Sequence, residues 1–191
     1  MPEHSMSIQE FIKVLLSPER ERHVDPNSLL VQLPIDPYQV VADIGCGPGY
    51  FAVPIAKYLA HGKLYAVDIE DEMLDVLRER IKATRLGNIE VLKGDKTNFP
   101  IRAASLDGAL LAFVVHQNED RCTFLKRTTE LLKPHGWCAV LEWHRKGSDT
   151  GPPLEERIEP DEMANLCKEA GLNLVRQRDL NEEQYMLLCR R

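Results

Sequence analysis

The stretch Val41-Ala42-Asp43-Ile44-Gly45-Cys46-Gly47-Pro48-Gly49-Tyr50-Phe51 decides the fold. An apolar run with a single acid passes into three glycines at alternate positions and closes on two aromatic residues. Such a run, bounded by glycine, reads as a buried strand over 40–44. Glycines directly after it let the backbone turn sharply and come close to a ligand. A helix is expected next, over 50–59. Strand, tight loop and helix form the opening unit of a sheet that binds ligands at the carboxyl edge of its strands. The dinucleotide fingerprint G-x-G-x-x-G fails here, because its third glycine would fall on Tyr50 while the glycine stands at 49.

Outward from this unit the rhythm of strand and helix continues. A second strand is expected over 63–68. Its helix presents Met73, Leu74, Leu77 and Ile81 on one face and stops at Gly87. Further strands are expected over 88–92, 110–115 and 137–143. The helix before the last of these carries Phe124, Leu125, Thr128, Leu131 and Leu132 and ends before Pro134-His135-Gly136. Glu159-Pro160-Asp161 opens another helix, closed by Gly171. Two strands finish the chain, over 172–178 and 184–190. Their short connection forces an antiparallel pair, since a parallel crossover needs a dozen or more residues. The fold class is therefore α/β, a doubly wound and mostly parallel sheet with helices on both faces.

Upstream, Phe11, Ile12, Leu15 and Leu16 recur at helical spacing. Ser17-Pro18-Glu19 and Asp25-Pro26 are two helix starts, and Leu29, Leu30 and Leu33 form an apolar face. Pro34 and Pro37 end this region. The expected organisation is one domain over 1–191, with a helical extension or cap over 1–38 and a Rossmann-like core over 39–191.

The chain has 191 residues and a formal net charge of −6. That length suits one domain. The acidic balance argues against a nucleic-acid partner. Five cysteines, at 46, 122, 138, 167 and 189, show no C-x-x-C spacing, so neither a zinc cluster nor a disulfide framework is expected. All five read as small buried residues, and no metal is expected. The start, Met1 to Met6, lacks a basic and apolar leader, and the longest apolar run, Ala109 to Val115, is too short to span a bilayer. A cytoplasmic location with no membrane span follows as an expectation.

Two more acids stand at the ligand edge. Asp68 ends the second strand about 20 residues after the glycine loop, where a carboxylate can accept both hydrogen bonds of a ribose diol. Asp95 follows the third strand in Lys93-Gly94-Asp95-Lys96, where a carboxylate can accept from an adenine amine. By itself Gly-Asp is a turn dipeptide.

Together these signals resemble the class I S-adenosylmethionine (SAM) dependent methyltransferases, in particular the small UbiE-like enzymes of methyltransferase type 11. The resemblance covers roughly 39–143. It implies SAM as cofactor and a sheet order of 3-2-1-4-5-7-6 with strand 7 reversed. It also implies a cofactor site made of Asp43, Gly45, Cys46, Gly47, Gly49 and Tyr50, then Asp68 with Ile69, Asp95 with Lys96, and Ala112 with Phe113. Leu131-Leu132-Lys133-Pro134-His135-Gly136 resembles the family's L-K-P-G-G segment, with His135 replacing a glycine.

The acceptor side is less specified. The segment after the fourth strand has no Asn-Pro-Pro-Tyr and no set of acidic metal ligands. His116, Gln117, Glu142 and His144 are the polar groups expected at the mouth. An imidazole titrates near neutral pH, so His116 is the expected proton acceptor. Trp143 reads as a packing residue. The polar segment 146–159 and the N-terminal helices are expected to cover the acceptor. The implied activity is methyl transfer to carbon or oxygen of a small molecule. Two alternatives are a SAM-binding module without catalysis and a NAD-linked oxidoreductase; the oligomeric state is unspecified.

Overall fold

The computed structural model describes residues 6–147 and 150–191. The expectations about the extreme N-terminus, and the part of the 146–159 segment at 148–149, lie outside the described residues.

Seven strands form one sheet: β1 Val40–Ile44, β2 Lys63–Asp68, β3 Ile89–Lys93, β4 Leu106–Ala112, β5 Leu132–Trp143, β6 Asn173–Asp179 and β7 Gln184–Arg190. Their order is β3-β2-β1-β4-β5-β7-β6. Pairing is parallel except where β7 meets β5 and β6. The expected order and the reversed strand are both present.

The helices of the core are α4 Ala52–Tyr58, α5 Asp71–Thr84, α6 Arg121–Leu131 and α7 Pro160–Glu169. Each buries one apolar stripe against a face of the sheet, such as Met73, Leu74 and Leu77 of α5. One core cluster includes Val41, Ile55, Leu64, Leu77, Leu110 and Trp137. The other includes Ile44, Val67, Leu111, Phe124, Leu125 and Tyr185. Successive β1 residues alternate between the two, as a pleated strand buried on both faces must.

Three short helices precede the sheet: α1 Ile8–Leu15, α2 Pro18–His23 and α3 Pro26–Leu30. Their starts obey local chemistry. Ser7 and Glu10 form a reciprocal capping box at α1, Ser17 caps α2, and Asp25 accepts from Asn27 N and Ser28 N at α3.

Several boundaries differ from the sequence expectation. β4 begins at Leu106 and ends at Ala112, rather than spanning 110–115. Phe113 takes a left-handed backbone (φ +59), and Val115–Gln117 form a 3-10 turn. β5 begins at Leu132 rather than 137. It passes through His135 (φ +64), with a register shift against β4 between Leu106 and Gly108. Helix α5 ends at the left-handed Arg85 (φ 55), two residues before Gly87. Of the five cysteines, Cys122 is only half-buried.

Candidate functional site

A cavity of about 370 Å³ opens at the carboxyl edge of β1, β2 and β4. The three loop glycines all adopt positive φ, at +77 for Gly45, +52 for Gly47 and +84 for Gly49. Their reasons differ. A Cβ on Gly45 would collide with Val114, and one on Gly49 with Leu77. A Cβ on Gly47 would meet only Leu15 Cδ1, at 3.7 Å. Gly45 and Gly49 therefore permit close packing, while Gly47 borders open space.

Backbone bonds fix the loop on β2. Gly45 N and Cys46 N both donate to Val67 O, at 2.8 and 3.0 Å. Gly47 N donates to Asp68 Oδ2 at 2.7 Å, and Glu70 N donates to Asp68 Oδ1 at 3.0 Å. Each carboxylate oxygen can accept a second bond, so Asp68 retains capacity for a diol. Asp95 Oδ1 accepts from Thr97 N at 3.0 Å and Asn98 N at 2.7 Å. These bonds hold its carboxyl below the usual range. Both fall on Oδ1, so Oδ2 is the oxygen that a ligand would meet.

Asp43 lies beneath the loop and does not line the cavity. It is 1 % exposed, and neither oxygen has a hydrogen-bond partner among the described residues. Burial, followed by the like charge of Asp68, pushes its pKa up to about 7; the Arg20 guanidinium opposes this. Cys46 lines the cavity, but burial keeps its thiol well above its ordinary value.

Gly45, Gly47, Tyr50, Asp68, Ile69, Asp95, Lys96, Ala112 and Phe113 all border the cavity, whereas Gly49 faces Leu77 behind the loop. On the acceptor side His116 and Gln117 line it, and Glu142 and His144 do not. Glu142 is fully buried behind His116, where its Oε1 accepts from His116 N at 3.1 Å and its Oε2 lies 2.8 Å from His116 Nδ1. His144 is turned away instead. Its Nε2 lies 2.9 Å from Asp179 Oδ1, and its ring packs on Tyr185.

The register of the sheet makes the His116–Glu142 pair. Ala112 of β4 lies beside Leu141 of β5, so the turn after β4 passes over Glu142. Glu142 Oε2 can accept a hydrogen bond from Nδ1–H, the tautomer that keeps the lone pair on Nε2.

The cavity walls hold residues that sequence reasoning missed. Phe11, Val14 and Leu15 of α1, Arg20 of α2 and Val24 line it. Trp143 lines it too, 5.6 Å from the Phe113 ring and beneath the Arg157 guanidinium. Arg157 is buried, and it donates to Pro152 O, Lys146 O and Thr150 O. That clamp brings Thr150 and Gly151 to the cavity edge. The N-terminal helices and the 146–159 segment were expected to cover the acceptor, but which of their side chains face the cavity was not specified.

SAM, the implied cofactor, can be tested on this geometry. The orphaned Asp43 carboxylate suits a cationic group, Gly47 leaves space at the loop, and Asp68 has spare acceptor capacity. The residues fit it. Among the described residues no cluster of three or more His, Cys, Asp or Glu could hold a metal. No helix among them is long and apolar enough to cross a membrane.

The family model described as a methyltransferase domain matches residues 41–136, just over half of the chain. Demethylmenaquinone methyltransferase of Geobacillus kaustophilus is 30 % identical over 101 residues, covering 52 % of this chain and 43 % of that protein. The enzyme of the same name from Staphylococcus haemolyticus is 31 % identical over 101 residues, covering 52 % and 41 %. The matched stretch thus spans less than half the length of these relatives. A SAM-dependent methyltransferase from Aquifex aeolicus superposes with a TM-score of 0.91 at 26 % identity, covering 97 % of this chain and 99 % of the other. The [4+2]-cyclase SpnF shares the fold, with a TM-score of 0.80 at 12 % identity over 92 % and 83 % of the two chains.

Proposed function

The chain belongs to the methyltransferase-domain family of class I SAM-dependent methyltransferases, and from that premise we propose that it methylates an oxygen or an acidic carbon of a small, flat acceptor, with His116 as proton acceptor. Family membership sets aside the nicotinamide alternative. The observation that carries the acceptor chemistry is the buried 2.8 Å contact between His116 Nδ1 and Glu142 Oε2, with His116 lining the same cavity as the glycine loop.

When bound, the cofactor supplies a methyl group activated by its positively charged sulfur. This chain's residues do the rest. Gly45 to Gly47 and Asp68 position the donor, and Asp95 addresses its adenine end. Phe113, Trp143, Phe11 and Leu15 form apolar walls that suit a planar ring and exclude water. Alignment of two reactants supplies several kcal/mol of the rate enhancement. His116 Nε2 takes the acceptor's proton, and the Glu142 carboxylate stabilises the imidazolium that results. Glu142 is a positioning residue. It sets the ring's tautomer and its orientation.

The acceptor class draws support from the relatives named for demethylmenaquinone, a ring that loses a proton as it is methylated. The test is S-adenosylhomocysteine release from SAM with hydroxylated naphthalenes and related ring acceptors. His116→Ala should lower turnover by about 10²-fold or more, the usual size of general-base catalysis. Its cofactor affinity should stay within about threefold. Glu142→Gln should also lower turnover and move the pH profile of kcat, which a merely structural role would not. Unchanged turnover per folded molecule in His116→Ala would end the assignment.

A further inference from the structure

One buried polar side chain of the cavity serves neither the cofactor nor the proton transfer. Gln184 opens β7, is 3 % exposed and lines the cavity. Its neighbour Asn181 decides which way its amide faces. Asn181 Oδ1 accepts from Glu183 N at 2.8 Å and from Gln184 N at 3.0 Å. Asn181 Nδ2 is therefore the donating end, and it donates to His23 O at 2.8 Å and to Gln184 Oε1 at 3.0 Å. A donor must face an acceptor, so Gln184 turns its oxygen to Asn181 and its Nε2 away. Among the described residues nothing accepts from Nε2. That nitrogen is not sealed off as the Asp43 oxygens are, so the surface it keeps opens on the cavity. An almost buried amide nitrogen without a partner is costly, and a ligand oxygen completes it.

The sheet puts this amide on the acceptor side. Asp68 and Asp95 follow β2 and β3, whereas β7 lies three strands beyond β1, past β4 and β5. At about 4.8 Å per strand, that is about 14 Å across the sheet. Register sets Gln184 beside Trp143. The Trp143 indole is itself fixed. The Arg157 guanidinium carbon stands 5.3 Å from its ring centre, and Gly151 packs so closely that a Cβ there would lie 2.9 Å from the ring. Two other amides line the cavity, but both turn their nitrogens to the backbone. Gln117 Nε2 donates to Phe113 O at 3.5 Å, and Asn118 Nδ2 donates to Val114 O at 2.8 Å.

We propose that Gln184 is a specificity-determining residue whose Nε2 donates to an oxygen on the acceptor's ring, a carbonyl or an ionised hydroxyl, while the ring rests against Trp143. This deepens the flat-acceptor reading above and rests on it, but not on His116 as proton acceptor. The two groups ask for different things. His116 takes a proton, whereas Gln184 Nε2 can only give a hydrogen bond, so it needs a ligand atom that accepts. A site built around such a donor rejects the analogue that lacks the oxygen, because the donor is then left unpaired. The acceptor class narrows to flat rings that carry an accepting oxygen.

The experiment is calorimetric binding of rings to the full chain saturated with S-adenosylhomocysteine, so no turnover is needed. The probes are 2-hydroxy-1,4-naphthoquinone, which carries accepting oxygens, and naphthalene, which carries none. Gln184→Leu removes the amide at similar volume and should weaken the quinone by about 10-fold, the size of one lost hydrogen bond. Naphthalene and S-adenosylhomocysteine should each stay within about twofold of wild type, which also reports a folded variant with its wall intact. Gln184→Glu keeps an oxygen for Asn181 but loses the N–H donors, so it should weaken the quinone at least as much; it gives the same comparison if Gln184→Leu does not fold. Equal losses on both rings would overturn the proposal by making Gln184 a piece of wall. Undiminished quinone binding would overturn it by leaving Nε2 to water. A loss confined to S-adenosylhomocysteine would overturn it by giving the amide to the cofactor. In those three results the rings still bind wild type, and the flat acceptor stands. Wild type that binds neither ring would remove the flat acceptor, and this proposal with it.

Discussion

Asp43→Asn isolates the cost of the buried charge beneath the glycine loop. The carboxylate is 1 % exposed and has no partner among the described residues. Burial and then Asp68 raise its pKa from 3.8 to about 7, against the pull of Arg20. A carboxyl raised in this way favours the folded state only while it is protonated. Its contribution is whole below the unfolded value of 3.8 and is lost as pH rises through about 7. A shift of this size corresponds to about 4 kcal/mol at most. The amide cannot ionise, so the variant lacks this slope. Whatever the amide itself costs is the same at every pH and cancels when the two proteins are compared. The assay is thermal unfolding without ligand from about pH 4 to about pH 8. Wild type should lose stability relative to Asp43→Asn across that window, on the order of 10 °C in midpoint for a chain of this size. S-Adenosylhomocysteine should reverse the trend, because its ammonium group favours the ionised carboxylate, and wild-type affinity should rise with pH through about 7 while the variant stays flat. Parallel stability profiles for the two proteins would refute the reasoning, since Asp43 would then be solvated or paired.

Substitutions at two other positions test the loop. Gly47→Val should abolish SAM binding in a folded protein, because the new side chain enters the space between the loop and Leu15 at a φ of +52; calorimetry showing near wild-type affinity would place the ligand elsewhere. Asp68→Ala should weaken SAM by about 1.5–3 kcal/mol, since it removes charged hydrogen bonds and also the acceptor of Gly47 N. Asp68→Asn should lose less, and equal affinities for all three proteins would remove the ribose assignment.

The elements that sequence located well are those whose signal is local. β1, β2 and β7 are mostly apolar segments flanked by polar residues or glycine, and their ends match the expected residues. β4 and β5 were misjudged because their ends are made by partners far away in sequence. Asp107 and Gly108 look like turn residues. In the structure Asp107 Oδ2 accepts from Val40 N, Oδ1 accepts from Lys133, and Gly108 is bare because the Trp137 indole occupies the place of its side chain. Pro134-His135-Gly136 likewise reads as a break, yet the strand runs through it by way of the left-handed His135. The same limit applies at the site. Gly47, Asp68 and Asp95 stand at the carboxyl ends of β1, β2 and β3, so their meeting at one cavity was legible, while Asp43 lies beneath it. Arg20 lies in Pro-Glu-Arg-Glu-Arg-His, where every charge looks solvated. Glu142 could be seen at the end of a strand, but its contact with His116 depends on a register that no single segment encodes.

These observations divide one cavity between two kinds of control. The donor side is held by backbone: loop amides on Val67 and Asp68, and glycines whose missing side chains make room for Val114, Leu77 and the ligand in turn. Such a frame tolerates little variation, which suits a cofactor of fixed shape. The acceptor side is built from side chains on separate elements: Phe11 and Leu15 on α1, His116 on the turn after β4, Trp143 at the end of β5, and Thr150 and Gly151 held by Arg157. Each can change without disturbing the sheet. Arg20 and Tyr50 join the two halves, one from the helices and one from the loop, through a contact of 4.5 Å and the Tyr50 bond to Val24 O. Arg20 also donates to Leu15 O, which ties α2 to the α1 wall of the cavity.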